Sequence, residues 1–266
     1  MPSINRVCRK ASQQAPDRAK GNAVSQHVLL DNATHRSLHI NRRFSKGHGY
    51  DFNVARVFPI ELSVVQREYP IFLLKNPESG DFDTIALLGF DEGENLFLGE
   101  DRWQASYIPL SMERQPFLIG FQDREVDGVP QRVPVVHVDM EHPSISSSEG
   151  APVFLPQGGE SPYLEHINSV LHAINEGHDA GAKFSQALVG LELVESLDLN
   201  IEFEDGSKKS LAGLFTINEE RFRSLPGAAL ETLNKDRSLQ HIFMLLASLS
   251  SMQSLVQRKN ESLRAG

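Results

Sequence analysis

The stretch 87–120, LLGFDEGENLFLGEDRWQASYIPLSMERQPFLIG, constrains the fold of this chain more than any other. It holds the only tryptophan, Trp103, with Tyr107, Phe90, Phe97 and Phe117, and it separates them by Gly89, Gly93, Gly99, Pro109 and Pro116. Large aromatic side chains bury much area, while glycine and proline set tight turns, so the pattern predicts short strands closing a compact core. No nucleophile, base and oxyanion donors fall in it at a spacing that serves catalysis.

The flanking sequence extends this reading to an α+β fold. Residues 71–74 and 85–90 read as neighbouring strands of a hairpin across the turn cluster 76–80, and 95–98, 103–108 and 117–121 add further short strands. The expected first half is a strongly bent antiparallel sheet. Residues 123–128 read as a charged turn; 133–138 reads as a strand covered on both faces, which Pro130 and Pro134 push toward an edge or bulge. The Ser-, Gly- and Pro-rich run 141–160, with a short strand at 153–155, divides a β-rich part (25–160) from an α-rich part (161–266). Ser161 and Pro162 form a helix start, with an apolar stripe of Leu164, Ile167, Leu171 and Ile174 ending at Gly177. A second helix after Asp179, with Phe184, Leu188 and Leu191 on one face, completes an expected helical hairpin.

Leu197, Leu199, Ile201 and Phe203 alternate with polar residues and predict a half-buried strand. A three-residue loop closing on Gly206 sets Glu202 opposite Lys208 and Leu199 opposite Leu211; a two-residue loop wastes the apolar face. After the return strand 211–216, short helices start at Asn218 and Pro226. The longest helix starts at Asp236, burying Leu239, Ile242, Leu246, Leu249 and Val256, with serines 248, 250, 251 and 254 marking close approach to a neighbour.

Charge narrows the function classes. The chain carries a net −9, of which residues 1–24 contribute +4, so the remainder carries −13. An acidic body argues against general nucleic-acid binding, which needs a basic face. Residues 1–24 have few large apolar side chains and read as a mobile basic arm ahead of a single domain over 25–266. Cys8 is the sole cysteine and forms no internal disulfide. With no secretory h-region and no window approaching roughly 18 apolar residues, the expectation is a protein without a membrane span, cytoplasmic unless exported without an amino-terminal signal.

His137 and Asp139 lie two apart on a strand and so share a face. They could begin a two-histidine, one-carboxylate iron site, completed by His166, His172, His178 or His241, although all four lie on expected helices. No HExxH, GxSxG, Walker loop or CxxC pair occurs, and no motif calls for a cofactor. For recognition, Trp103 and Tyr107 could line a cleft with Arg102 and Arg114 beside them; the turn-bounded setting favours Trp103 as core instead. Arg42 and Arg43, in the His- and Arg-rich stretch 27–50, are candidate anion contacts.

YPIFLLK (69–75), ALLGF (86–90), GENLF (93–97), W-Q-A-S-Y-I-P-L from Trp103, E-R-Q-P-F from Glu113 and FTINEERFRSL (215–225) together resemble the SapC family of bacterial proteins, over nearly the whole chain from His27. The resemblance implies no catalytic residues. It implies an accessory or recognition protein for a peptide or protein partner, in the setting of flavin-dependent halogenases, cupin-like oxygenases and outer-membrane receptors. The family label also implies a surface-layer association. Iron-dependent oxygenation through His137 and Asp139 and a surface-layer structural role are the alternatives.

Overall fold

In the computed structural model, which describes residues 26–126 and 129–265, the chain opens with two short strands, β1 (His27–Leu29) and β2 (His39–Ile40). The basic arm lies outside the described residues. Strand β3 (Val54–Arg56) leads into a 3-10 turn, Pro59–Glu61, and the single-turn helix α1 (Leu62–Val65). The expected hairpin follows as β4 (Ile71–Lys75) and β5 (Phe82–Leu87), with Leu73 opposite Thr84. Residues 95–98 and 103–108 are not strands. Here side chains take backbone donors, Asn95 accepting the Phe97 N–H and Glu68 the Ser106 N–H, and a bridge between Leu98 and Trp103 is what remains of the expected pairing.

After α2 (Leu110–Glu113), β6 (Phe117–Val126) and β7 (Val129–Asp139) form a long ribbon, followed by β8 (Ile145–Ser146) and β9 (Ala151–Pro152). The charged run 123–125 is therefore strand rather than turn, because the ladder continues to Val126 opposite Val129. The helical hairpin is a correction of a different kind. A single helix, α3 (Pro162–Gly190), runs 29 residues, capped by the Ser161 hydroxyl as expected. Gly177 does not end it: a Cβ there would sit 2.7 Å from Phe58 Cβ, so the glycine is a notch that admits Phe58.

The next hairpin, β10 (Val194–Glu202) and β11 (Lys208–Ile217), has the register read from the sequence, Glu202 opposite Lys208 and Leu199 opposite Leu211. Its loop closes through the Phe203 N–H on the Ser207 carbonyl, with Gly206 at φ +83°. The helices α4 (Glu219–Arg223), α5 (Gly227–Lys235), α6 (Ser238–Ser248) and α7 (Met252–Ala265) complete the chain. A 3-10 turn at Leu249–Ser251 joins α6 to α7; Leu245 and Leu255 are buried in the same core as Ile242, while Leu246, Leu249 and Val256 are only partly covered. The Ser248 hydroxyl accepts the Ile71 N–H at 2.9 Å, bringing α6 against β4. Ser238–Ala265 is nonetheless long and apolar enough to cross a membrane by length and composition, with an 18-residue window of mean hydropathy 1.3. A search for an unbroken apolar stretch passes over it because serines are interspersed.

Among the described residues there are three sheets: β10-β11-β4-β5-β3, β1-β7-β6 and β8-β2-β9. The first joins strands from both halves of the chain through β11 and β4. Helix α3, about 43 Å long at 1.5 Å per residue, links the packing beneath them. Leu164, Ile167 and Leu171 enter one core with Leu38, Ile40, Phe117 and Val138. Val170 and Ile174 meet Phe58, and Phe184 and Leu188 enter the largest core, with Tyr69, Phe72, Phe97 and Trp103.

Candidate functional site

Pro59 opens a tight turn whose last residue, Glu61, folds back so that Oε1 accepts the Phe58 N–H at 2.9 Å. Oε2 accepts the Tyr107 hydroxyl and the Leu110 N–H, both at 3.0 Å. Glu61 is only 2 % exposed, so these bonds fasten the turn before α1 to the start of α2 away from water. Burial is the largest influence on its carboxyl and, with Glu113 nearby, pushes it up to about 7 against the opposing pull of the three hydrogen bonds. Burial first, and Glu61 next, also raise the Tyr107 phenol.

The network continues inward. The Tyr69 hydroxyl donates to the Tyr107 carbonyl and accepts the Trp103 Nε1–H at 2.6 Å. Trp103, 7 % exposed, meets Phe44 edge-on at 5.9 Å between centroids and stacks on Phe97. It is a core side chain, in the turn-bounded setting that favoured this reading.

The arginines occupy separate settings. Arg42, exposed, lies 3.5 Å from Glu113 and over the Tyr163 ring; His166 Nε2 reaches the same Glu113 oxygen at 2.9 Å. Arg114 donates to the Phe117 carbonyl at 2.7 Å, and burial lowers its guanidinium to about 10. Arg102 and Arg43 are exposed. The inner carboxylate is thus a structural clamp, and the outer Arg42–Glu113–His166 cluster is an ion-pair rim of modest energetic weight.

His137 and Asp139 do share a face of β7, as expected, but the remaining donors do not join them. The His137 imidazole lies on Gly120, where a Cβ would come within 2.3 Å of it, and Asp139 Oδ1 accepts the Glu141 N–H at 3.1 Å. His166 pairs with Glu113, His172 with Glu176, His178 packs on Phe58 and His241 on Phe184. Among the described residues no three His, Cys, Asp or Glu side chains gather at metal-ligand spacing. The residues present do not fit the iron site. His178 also lines a small polar cavity with Arg56 and Asp83, whose ion pair is 2.6 Å. Burial chiefly, with Arg56 and Arg114, lowers this imidazole to about 4 and keeps it neutral.

The β6–β7 ribbon extends beyond the strand that covers it, with β6 at the edge of its sheet. Strand β1 covers β7 only at residues 137–139, while the ladder with β6 extends from Phe117–Val138 to Val126–Val129. The Val136 carbonyl accepts the Leu30 N–H and the Asp139 N–H donates to the Pro116 carbonyl, so even-numbered β7 residues turn their backbone groups away from β6. Pro130 and Pro134 fall at these outward positions, where no N–H is needed. This reconciles a proline-bearing strand with the middle place in its sheet. Antiparallel pairs alternate, so their partners Phe121 and Glu125, with Ile119 and Asp123 between and beside them, turn N–H and C=O groups out along the other edge. On the face they share, Phe121 is 45 % exposed and the Arg132 guanidinium lies 4.6 Å from its ring.

The sequence model of the SapC family matches residues 30–255, which is most of the chain. The chain belongs to the SapC family. No curated protein and no solved structure matches it. The SapC match spans the buried Glu61 network, the ribbon and the long helix α3, and thus all three cores. Two features of this SapC chain escape a reading by motif. Glu61 carried a weak signal, since a carboxylate three residues after Phe58 is placed as in a capping box. The ribbon edge carried one in the spacing of Pro130 and Pro134, four apart and therefore on one edge of a strand.

Proposed function

We propose that this SapC protein is a non-catalytic binding protein that recognises a peptide or protein partner, and that the β6–β7 ribbon is its recognition element. One observation carries the reading: the ribbon runs beyond the cover of β1 with one edge closed by two prolines and the other lined by backbone groups that pair with no strand among the described residues. Open edges invite pairing and are ordinarily blunted. An arrangement that blunts one edge of a ribbon and leaves its opposite free supports use of the free one. The exposed Phe121 under Arg132 adds an aromatic and a guanidinium, two groups enriched where partners bind.

The halogenase and outer-membrane receptor systems implied by the resemblance are the first partners to test. Native protein is purified from its own cells alongside Asp123→Pro and, as a surface control, Arg43→Ala. Proline at 123 removes an outward N–H together with the Asp123 carboxylate and leaves the bonds to β7 intact. A partner held in stoichiometric amount by wild type and Arg43→Ala but lost from Asp123→Pro is the expected result. Equal retention by all three refutes the ribbon as the recognition element.

A further inference from the structure

Resting on the ribbon reading, we infer that the partner supplies an extended segment that adds to β6 as a further antiparallel strand, with apolar side chains facing Ile119 and Phe121 and basic side chains facing Asp123 and Glu125. The outward residues 119, 121, 123 and 125 are spaced by two, so their side chains stand on one face and their amides along one edge. A strand laid on that edge meets their backbone groups and, directly opposite, their side chains. Ile119 is half-buried near the sheet and Phe121 is exposed beyond it, so this end of the edge is apolar; Asp123 and Glu125, both exposed, make the far end acidic. Arg132, the register partner of Asp123, leans over the Phe121 ring, and Pro130 stands opposite Glu125.

The same arrangement weighs against a second copy of this chain. Two β6 edges pair antiparallel in only a few registers. Placing all four outward residues against each other sets Ile119 opposite the copy's Glu125 and Phe121 opposite its Asp123, apolar against acid at every position. Sliding the copies toward the tips brings Asp123 against Asp123, and sliding them the other way sets Phe121 against Phe121 but leaves each Ile119 opposite the copy's Asp123 and each Glu125 opposite the copy's Phe117. A segment alternating basic and then apolar residues meets neither penalty.

The full chain, labelled with nitrogen-15, is titrated at about 50 mM salt, where surface charges are weakly screened, with the blocked peptide Lys-Thr-Lys-Thr-Val-Thr-Val and with the version carrying Glu for both Lys. The expected result is shifted and exchange-protected amides at Ile119, Phe121, Asp123 and Glu125, little change at Gly120, Gln122 and Arg124, and roughly tenfold tighter binding of the basic peptide. The double substitution Asp123→Lys, Glu125→Lys should invert the preference. Equal affinity for both peptides overturns the charge selection, and no change at the four amides overturns strand addition. If Asp123→Pro still loses its native partner in either case, the ribbon reading survives and only the strand chemistry falls. Concentration-dependent protection of the same amides without peptide would make the occupant a second copy and overturn the proposal.

Discussion

Replacing Glu61 by glutamine tests whether a buried carboxylate clamps the turn before α1 to α2. Its carboxyl is moved from an ordinary 4.5 to about 7, with burial as the leading cause. A group whose proton is held more tightly in the folded state stabilises the fold fully below the unfolded value and loses that contribution as pH rises through the folded one. The window is therefore pH 4.5 to 7, and the loss, at about 1.4 kcal/mol per pH unit, is about 3 kcal/mol. Glu61→Gln removes the titration and also sets an NH2 group against one of the three donors now bonded to the carboxylate, a pH-independent cost of about 1–3 kcal/mol. Urea unfolding of both proteins at pH 5, 6, 7 and 8 should show wild type the more stable at pH 5, and the gap closing or inverting by pH 8. Other groups cancel in this difference. A gap that stays constant across the range would show that the three hydrogen bonds, rather than burial, set the ionisation of Glu61.

Trp103→Ala should cost about 3–5 kcal/mol, as deletion of a large aromatic from a packed core does; blue-shifted, poorly quenched wild-type emission checks the same burial without mutation, and a red-shifted, readily quenched spectrum would contradict it. Gly177→Ala should destabilise by about 1–3 kcal/mol in chemical denaturation, because its Cβ would crowd Phe58 at 2.7 Å; a gain, the ordinary effect of alanine in a helix interior, would mean Phe58 yields freely. His178, lowered from 6.5 to about 4, contributes stability that is full above pH 6.5 and lost as pH falls through about 4; wild type minus His178→Gln, followed by unfolding from pH 7 to 4, should shrink accordingly. Hydrogen exchange along β6 should alternate, fast at Ile119, Phe121, Asp123 and Glu125 and slow at Gly120, Gln122 and Arg124; uniform protection would mean the edge is already covered.

What was legible in the sequence was what local physics alone decides. The β10–β11 register followed from an apolar alternation that only one loop length could keep on one face, and the start of α3 followed from Ser161 and Pro162. Gly177 shows where such reasoning stops: a glycine after an apolar stripe is read as a helix end, yet here its missing Cβ makes room for Phe58, a residue more than a hundred positions earlier. The false strands at 95–98 and 103–108 arose in the same way, since aromatics and turn residues specify a core without specifying a ladder, and side chains took backbone donors instead, Asn95 that of Phe97 and Glu68 that of Ser106. For the site the limit is sharper. Trp103, Tyr107 and Arg42 drew notice by residue type, but type does not distinguish an aromatic that donates to Tyr69 inside a core from one that meets a ligand. The edge of β6 is made of main chain, which every sequence has, and its only written trace is the pair of prolines across the ribbon. A proline is ordinarily read for where it forbids a strand. Here Pro130 and Pro134 are better read for which side of a strand they leave usable, and that side belongs to Phe121, Asp123 and Glu125.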